Sequence, residues 1–444
     1  MKVLVGISTS DLTALDHSAL TISSSAGFNV RCEGVIGSPV PAGQLFHLEI
    51  DKSKDKSDAL SFRYDGKKER YITSRKLILE PLKGSSFTFN SITREYAKGR
   101  SNPVYQGEFE AFVHNGKLRI GLRIELDQYL KGVLQSEIPA SYPIEAIKAQ
   151  AVAARTYALR PRINHMKHDS INVCDSYLCC QYFGGTKAAA SANHLNAIAQ
   201  TAGQVLTYNS EPILALFSSN AGGHTENFEN CFSDPDTKEF PPPALPYLKG
   251  VWETKLGKAP RALDLSNESD LRSFYAMTPF TEDKASSHYR WKVHLTANQL
   301  ESNLHHNVSK LLKNPDTAPY LVAPKSAEFG HIGGFKALKR GVAGTIIELG
   351  VSTSSGDWII KKELVIRDFF SVGQAGLKRL KSARIFFEQS KDKLGLLADL
   401  TISGTGWGHG VGMQQSGASG FAKSGLDYQS ILKLYYSGVA IDKV

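Results

Sequence analysis

The chain has 444 residues, a formal net charge of +9 and 41% hydrophobic residues. That length suits two or three domains with ample buried core, and with charged residues at 21% the composition excludes a chain disordered throughout. No run approaches the roughly 18 apolar residues of a membrane-spanning helix. The Lys and Arg are scattered, with no zinc finger, basic zipper or aromatic RNA-binding strand, which argues against a nucleic-acid reader.

The first hundred residues read as a β-rich region, with short strand-type runs at Lys2–Ile7, Leu77–Leu79 and Phe87–Phe89. Met1 to Ser8 holds one Lys and a five-residue apolar stretch, shorter than a signal peptide's apolar core of about 7–15 residues. Cys32 stands alone here, and residues 51–58 read as an exposed charged loop. Two alternating runs, 105–113 and 117–124, flank Asn115-Gly116, the pattern of a β-hairpin. Residues 127–136 predict a short helix that runs into Glu137-Ile138-Pro139. Pro143 opens a second helix, where its missing N–H costs nothing. Ile144, Ile147, Ala151, Ala154 and Ala158 follow at helical spacing, and the alanine content predicts a close-packed neighbour. A polar loop over 161–187 holds Cys174, Cys179 and Cys180; a helix over 188–201 and strand-like 204–219 follow. Residues 256–375 mix helical and strand patterns and read as an inserted lobe. The class is α+β: mixed β-sheets with packed helices and an active-site cleft between lobes. Its domains are an N-terminal β-rich region, 1–100, and a larger domain, 101–444.

Four clusters carry chemistry. Glu137 lies between a helix end and Pro139, a rigid corner. Ile138 and Tyr142 beside it would desolvate the carboxyl and raise its pKa towards that of a general acid; the plain alternative is a capping or surface glutamate. His168, Cys174 and Cys180, with five residues between each, supply three ligands of a tetrahedral Zn²⁺ with one open position. Cys179, adjacent to Cys180, reads as a bystander. A disulfide or reduced structural cysteines are the alternatives. Gly404 to Gly412 places five glycines in nine residues but lacks the Lys-Ser/Thr of a phosphate-binding loop. It offers Trp407 and His409, an aromatic face beside a polar ring that suits a sugar, or it is a tight structural turn. Asn220 to Glu226 is a further glycine turn whose His224 and Glu226 face one cleft or cap the turn. With no Gly-x-Ser-x-Gly, no His-Glu-x-x-His and no second catalytic carboxylate, spacing alone identifies no enzyme class.

In order, Tyr129-Leu-Lys-Gly-Val-Leu-Gln-Ser-Glu137-Ile-Pro with the helix from Pro143 to Leu159, Cys180-Gln-Tyr-Phe-Gly, Ser219-Asn-Ala-Gly-Gly-His-Thr-Glu, Pro246-Tyr-Leu-Lys249 and Gly406-Trp-Gly-His-Gly-Val-Gly-Met-Gln-Gln-Ser-Gly-Ala418 resemble the stage II sporulation protein D family. Ser416 and Gln414 depart from its pattern. The resemblance implies a bacterial lytic transglycosylase of peptidoglycan, a lyase that cleaves the MurNAc–GlcNAc bond of glycan strands stripped of stem peptides. Glu137 matches the catalytic acid, Arg155 a functional arginine, and Tyr247 and Lys249 the family's Tyr-x-Lys. Arg155 and Lys249 would meet the lactyl carboxylate of the substrate. Tyr142, His224, Trp407, His409 and Gln415 complete the set implied to contact substrate. The spacing of His168, Cys174 and Cys180 matches a zinc site of some members, with zinc bracing the loop. The implied location is periplasmic or otherwise extracytoplasmic, at the cell wall or membrane, with roles such as cell division. Because some relatives are described as amidase enhancers, a wall-binding partner of an amidase is the alternative. A zinc hydrolase is a third reading.

Overall fold

A computed structural model describes all residues except 33–34, 37–38, 52–58, 66–69, 97–98, 161–167, 186–189, 256, 260, 327 and 374–375. The charged loop expected over 51–58 therefore lies almost wholly outside the described residues, as does the start of the polar loop at 161–167. The chain forms two units. The first comprises Met1–Tyr142, Gln150–Val205 and Lys443–Val444; the second comprises Pro143–Ala149 and Leu206–Asp442.

The first unit holds two large sheets beside a small antiparallel ladder of 94–96 with 99–101. The larger has the order 173–174, 2–6, 117–125, 108–114, 77–81, 28–32 and 35–36, with 16–17 pairing 117–125. The other has the order 104–105, 87–89, 19–24, 46–50, 60–64 and 71–73. Alternation drives the pairing: Leu20, Ile22 and Ser24 point inward from Ala19–Ser24 while their neighbours face out. Aromatic side chains join the two inner faces, Phe28 against Phe46 and Phe87 at 5.3 and 5.1 Å and Phe109 against Phe87 and Phe89 at 5.1 Å each. The expected hairpin is present: Glu108–His114 and Lys117–Glu125 pair antiparallel, with Asn115 and Gly116 both at positive φ (49° and 70°). That is the backbone of the tight turn an Asn-Gly pair favours.

Helix α1 (Leu126–Glu137) buries Leu126, Tyr129, Leu130, Val133 and Leu134, one stripe at helical spacing. It stops where Ile138 turns extended (φ −133°, ψ 134°), the conformation forced on a residue before proline. Helix α2 (Ile144–Leu159) starts with the Pro143 carbonyl accepting the Ile147 N–H; it begins in the second unit and ends in the first. Residues 149–158 of α2 are all buried, so its alanines serve a helix enclosed on every side. Helix α3 (Ala192–Gln200) is shorter than the expected 188–201 because Ser191 caps it, accepting the His194 N–H.

The second unit has one large core. A capping box of Thr296 and Gln299 starts the helix Ala297–Lys313, whose Leu300, Leu304, Val308 and Leu311 form its buried stripe. These residues share the core with the four-stranded sheet 321–322, 356–361, 346–353, 332–340 and the three-stranded sheet 291–296, 397–404, 385–391. Strand Trp291–Thr296 pairs with Leu397–Gly404, so this core runs from Trp291 to Ile402. The class is α+β. Among the described residues no helix is long and apolar enough to cross a membrane.

Candidate functional site

Glu137 closes α1 and is half-buried. Its Oε1 accepts the Tyr182 backbone N–H at 2.6 Å. One residue earlier, Ser136 Oγ accepts the Gly184 N–H at 3.1 Å and donates to the Gly132 carbonyl. Residues 182–184 are thus stitched to the last turn of α1. Phe183, between them, lies against Tyr129 at 5.1 Å and Tyr105 at 5.9 Å. Helix α3 supports the other side of the corner. His194 donates from Nε2 to the Ile138 carbonyl at 3.0 Å, and Asn193 donates to the Ala140 carbonyl at 3.0 Å. Burial lowers the His194 pKa, which keeps the ring neutral. Tyr142 follows on the same corner, half-buried, its N–H on the Pro139 carbonyl and its phenol pKa raised by burial.

The loop leading to Tyr182 carries the thiols. His168, Cys174, Cys179 and Cys180 place one donor atom each within 4.8 Å of one another. His168 Nε2 lies 3.6 Å from Cys179 Sγ and 3.7 Å from Cys180 Sγ. Cys179 is therefore part of the cluster, which corrects the reading of it as a bystander. The turn after Ser176, whose carbonyl accepts the N–H of both Cys179 and Cys180, brings adjacent residues to the same point. Among the described residues no disulfide joins any of the five cysteines. A tetrahedral zinc bound at about 2.3 Å by sulfur and 2.0–2.1 Å by nitrogen sets its donors about 3.5–3.8 Å apart, so the spacing fits that ion. The donor chemistry fits as well. Neighbouring Cys179 and Cys180 push the Cys174 thiol well up, and burial does the same to Cys180. A cation is what would let such thiols bind as thiolates. Four such donors would leave a tetrahedral ion no open position, in contrast to the three-ligand open site expected from the spacing.

Arg155 is 1% exposed. It donates from Nη2 to Asp127 Oδ1 at 3.2 Å and from Nη1 to the Gln204 carbonyl at 3.2 Å and Thr201 Oγ1 at 3.5 Å. Burial lowers its pKa while Asp127 opposes that shift. These bonds tie α2 to α1 and to the chain beyond α3.

In the second unit, the glycines of 404–412 serve a buried cation that the sequence reading did not find. Gly406, Gly408, Gly410 and Gly412 all have positive φ, between 70° and 104°. A Cβ at Gly406 or Gly410 would stand 2.4 or 2.3 Å from the Arg384 guanidinium. Arg384 is fully buried and donates to the carbonyls of His409, Asn220 and Gly408 at 3.1–3.2 Å. The loop is wound on that guanidinium. Trp407 nonetheless points outward, 45% exposed, on a backbone fixed by reciprocal bonds to Asn220. Its ring stands edge-on to His288 at 4.2 Å, and Lys381 Nζ is 3.5 Å from His288 Nδ1. His409 is half-buried, packs on Phe232 at 5.1 Å and accepts the Val411 N–H at Nδ1. Gln415 is buried at the start of the helix Gln415–Lys423.

The 220–226 turn is structural at both ends. Glu226 is fully buried and accepts from Asn227, Asn230, Val342 and Ala343, so it does not face a cleft with His224. His224 donates from Nδ1 to the Thr225 carbonyl at 2.6 Å and meets Trp252 edge-on at 4.7 Å. Burial takes its pKa down to about 4. Next to the turn, Asp283 accepts the Gly223 N–H at 2.9 Å and Glu253 accepts the Tyr435 hydroxyl at 2.5 Å. Both carboxyls are buried. Burial, and then Asp283, push the Glu253 pKa well up. Tyr247 is buried with its hydroxyl accepting the Leu214 N–H at 3.3 Å, and Lys249 is exposed.

Residues 114–208 match the stage II sporulation protein family, and residues 227–412 match a domain of unknown function. The chain is 31% identical over 315 residues to the amidase enhancer of Bacillus subtilis (strain 168), a match covering 70% of this chain and 40% of that relative. It is 28% identical over 332 residues to the stage II sporulation protein D of the same organism, covering 72% of this chain and 75% of that protein. An uncharacterized protein of Brachyspira hyodysenteriae is 28% identical over 337 residues, with 76% and 72% covered. The motifs around Glu137 fall inside the segment that matches the stage II sporulation protein family, and the chain is similar to stage II sporulation protein D over about three quarters of that protein's length.

Proposed function

We propose that this protein is a lytic transglycosylase of peptidoglycan, acting outside the cytoplasm on glycan strands that lack stem peptides. The observation that carries the reading is the Glu137 carboxyl. It is half-buried at a proline-locked helix end and oriented by the Tyr182 N–H at 2.6 Å. The match of residues 114–208 to the stage II sporulation protein family supports it.

In the proposed reaction Glu137 enters protonated and donates to the glycosidic oxygen, so the leaving sugar departs as an alcohol. The carboxylate left behind takes the proton from the MurNAc 6-hydroxyl as that oxygen attacks C1. The product is a 1,6-anhydro ring and no water is consumed. A nucleophile within the substrate replaces the second carboxylate of ordinary glycosidases. The Tyr182 N–H holds Oε1 in place through both steps. Arg155, whose Nη1 and Nη2 donate to Thr201, Gln204 and Asp127, serves by holding α1 and α2 in register. Lys249, exposed, is the better candidate to meet a substrate carboxylate. Trp407 with His288 and Lys381 offers an aromatic face, a polar ring and a cation, a combination suited to an acidic sugar. Zinc held by His168, Cys174, Cys179 and Cys180 would supply a structural brace for the loop.

Glu137→Gln keeps the Oε1 acceptor and removes the acid. Digests of peptide-free glycan strands, read by mass spectrometry, are expected to contain 1,6-anhydro ends with the wild type and to lose them at least a hundredfold with the variant. Undiminished product from Glu137→Gln refutes the assignment. A wild-type protein that binds strands and cuts none, yet speeds an added amidase, establishes instead the amidase-enhancer reading that one relative's name suggests.

A further inference from the structure

We propose that Tyr177 and Tyr182 form a stacking corner for a sugar ring beside Glu137, a substrate contact that the motifs did not single out; the proposal rests on the reading of Glu137 as the acid.

Tyr177 is 59% exposed. An isolated exposed aromatic is ordinary, but this one is held rigidly on both sides. Asp175, before it, is buried and accepts the Ser8 N–H at 2.9 Å, the Arg94 guanidinium at 3.0 Å and the Tyr105 hydroxyl at 2.9 Å. Ser176 donates to the Leu12 carbonyl at 2.8 Å and accepts the Leu178 N–H at 3.1 Å. Cys179 and Cys180, after it, belong to the thiol cluster. The backbone is thus fixed before and after Tyr177 while its ring faces water.

The ring meets that of Tyr182 at 5.6 Å with the planes at 90°. Two aromatic planes at right angles make a corner, one wall exposed and the other half-buried. Tyr182 is also the residue whose N–H holds Glu137. The corner and the carboxyl are therefore joined through one residue. A pyranose has an apolar face of C–H bonds and a rim of hydroxyls. It can lay that face on one ring and its edge on the other while the phenols meet the rim. A rigid tyrosine loses little conformational entropy on contact, which suits it to a site that must bind a long, weakly held polymer.

The test uses the full chain with Glu137→Gln as the uncut background and peptide-free glycan strands as the probe, with binding followed by titration calorimetry. Adding Tyr177→Ala is expected to raise Kd about tenfold, and adding Tyr177→Phe or Tyr177→Trp to leave it within about threefold. Thermal unfolding of the three variants is expected to match the background, because the ring is on the surface. Equal affinity of the Tyr177→Ala protein and its background overturns the proposal, and so does failure of the background to bind strands at all. Turnover by Glu137→Gln alone overturns the acid assignment while leaving the affinity comparison to be read on its own.

Discussion

Gly132 sits in the middle of α1, where glycine costs about 1 kcal/mol relative to alanine. The reason it is there is Phe183: a Cβ would lie 2.3 Å from Phe183 Cε2 and 2.9 Å from the Gly185 carbonyl oxygen. Gly132→Ala is therefore expected to destabilise the protein by about 1–2 kcal/mol despite its better helix propensity. It should also lower turnover, because Phe183 lies between the two N–H groups that hold Glu137 and Ser136. Thermal unfolding checks the sign, and a rise in Tm refutes the packing argument. At this scale the sequence was readable where the chain itself imposes a constraint. Pro139 marks the Glu137 corner, and Asn115-Gly116 marks its hairpin. It was unreadable where distant residues converge. Arg384 lies some twenty residues before the glycine loop that wraps it, and nothing in its neighbourhood marks it as buried. His194 reaches the Ile138 carbonyl from a helix that begins more than fifty positions later. Cys179 reads as a bystander because it is adjacent to Cys180, yet the turn after Ser176 brings both thiols to His168.

The loop from His168 to Gly184 acts as one element. Its near end holds four metal-type donors, and its far end presents the N–H groups of Tyr182 and Gly184 to α1. Loosening one end should misplace the other. Purified wild type is expected to carry about one zinc per chain by elemental analysis. Cys179→Ser should lose that ion together with several degrees of Tm and most of the turnover. Unchanged zinc content in Cys179→Ser refutes the four-donor site. The loop also shows what spacing conveys. Intervals of five residues between His168, Cys174 and Cys180 signal a shared ligand set. The fourth member depends on a turn geometry that spacing does not encode.

Two buried groups of the second unit bend its pH response in opposite directions. The Glu253 carboxyl, its pKa pushed well up by burial and Asp283, keeps its proton in the folded chain after the unfolded chain has released it near 4.5. Its contribution is therefore full at low pH and lost as pH rises through the folded value. His224 acts in the opposite direction. With its pKa taken from 6.5 down to about 4, the unfolded chain binds a proton in that window that the folded chain does not, and stability falls as pH drops. Above 6.5 only the Glu253 slope remains of the two. Glu253→Gln keeps an acceptor for Tyr435 and cannot ionise. Its Tm is expected to exceed the wild type's by about 3 °C near pH 8 and to converge with it towards pH 4.5; a constant difference across pH refutes the assignment. The net charge of +9 belongs to this scale too. Peptide-free glycan, the proposed substrate, carries one carboxylate per MurNAc, a regularly spaced polyanion that a basic protein attracts over a Debye length. The thiol cluster, finally, has a consequence in time. Oxidation joins sulfurs two by two, and Cys174, Cys179 and Cys180 are three. A cluster that met an oxidant empty would close on one bridge and strand the remaining sulfur beside His168, so the order of events during maturation decides the product: ion first, oxidant second.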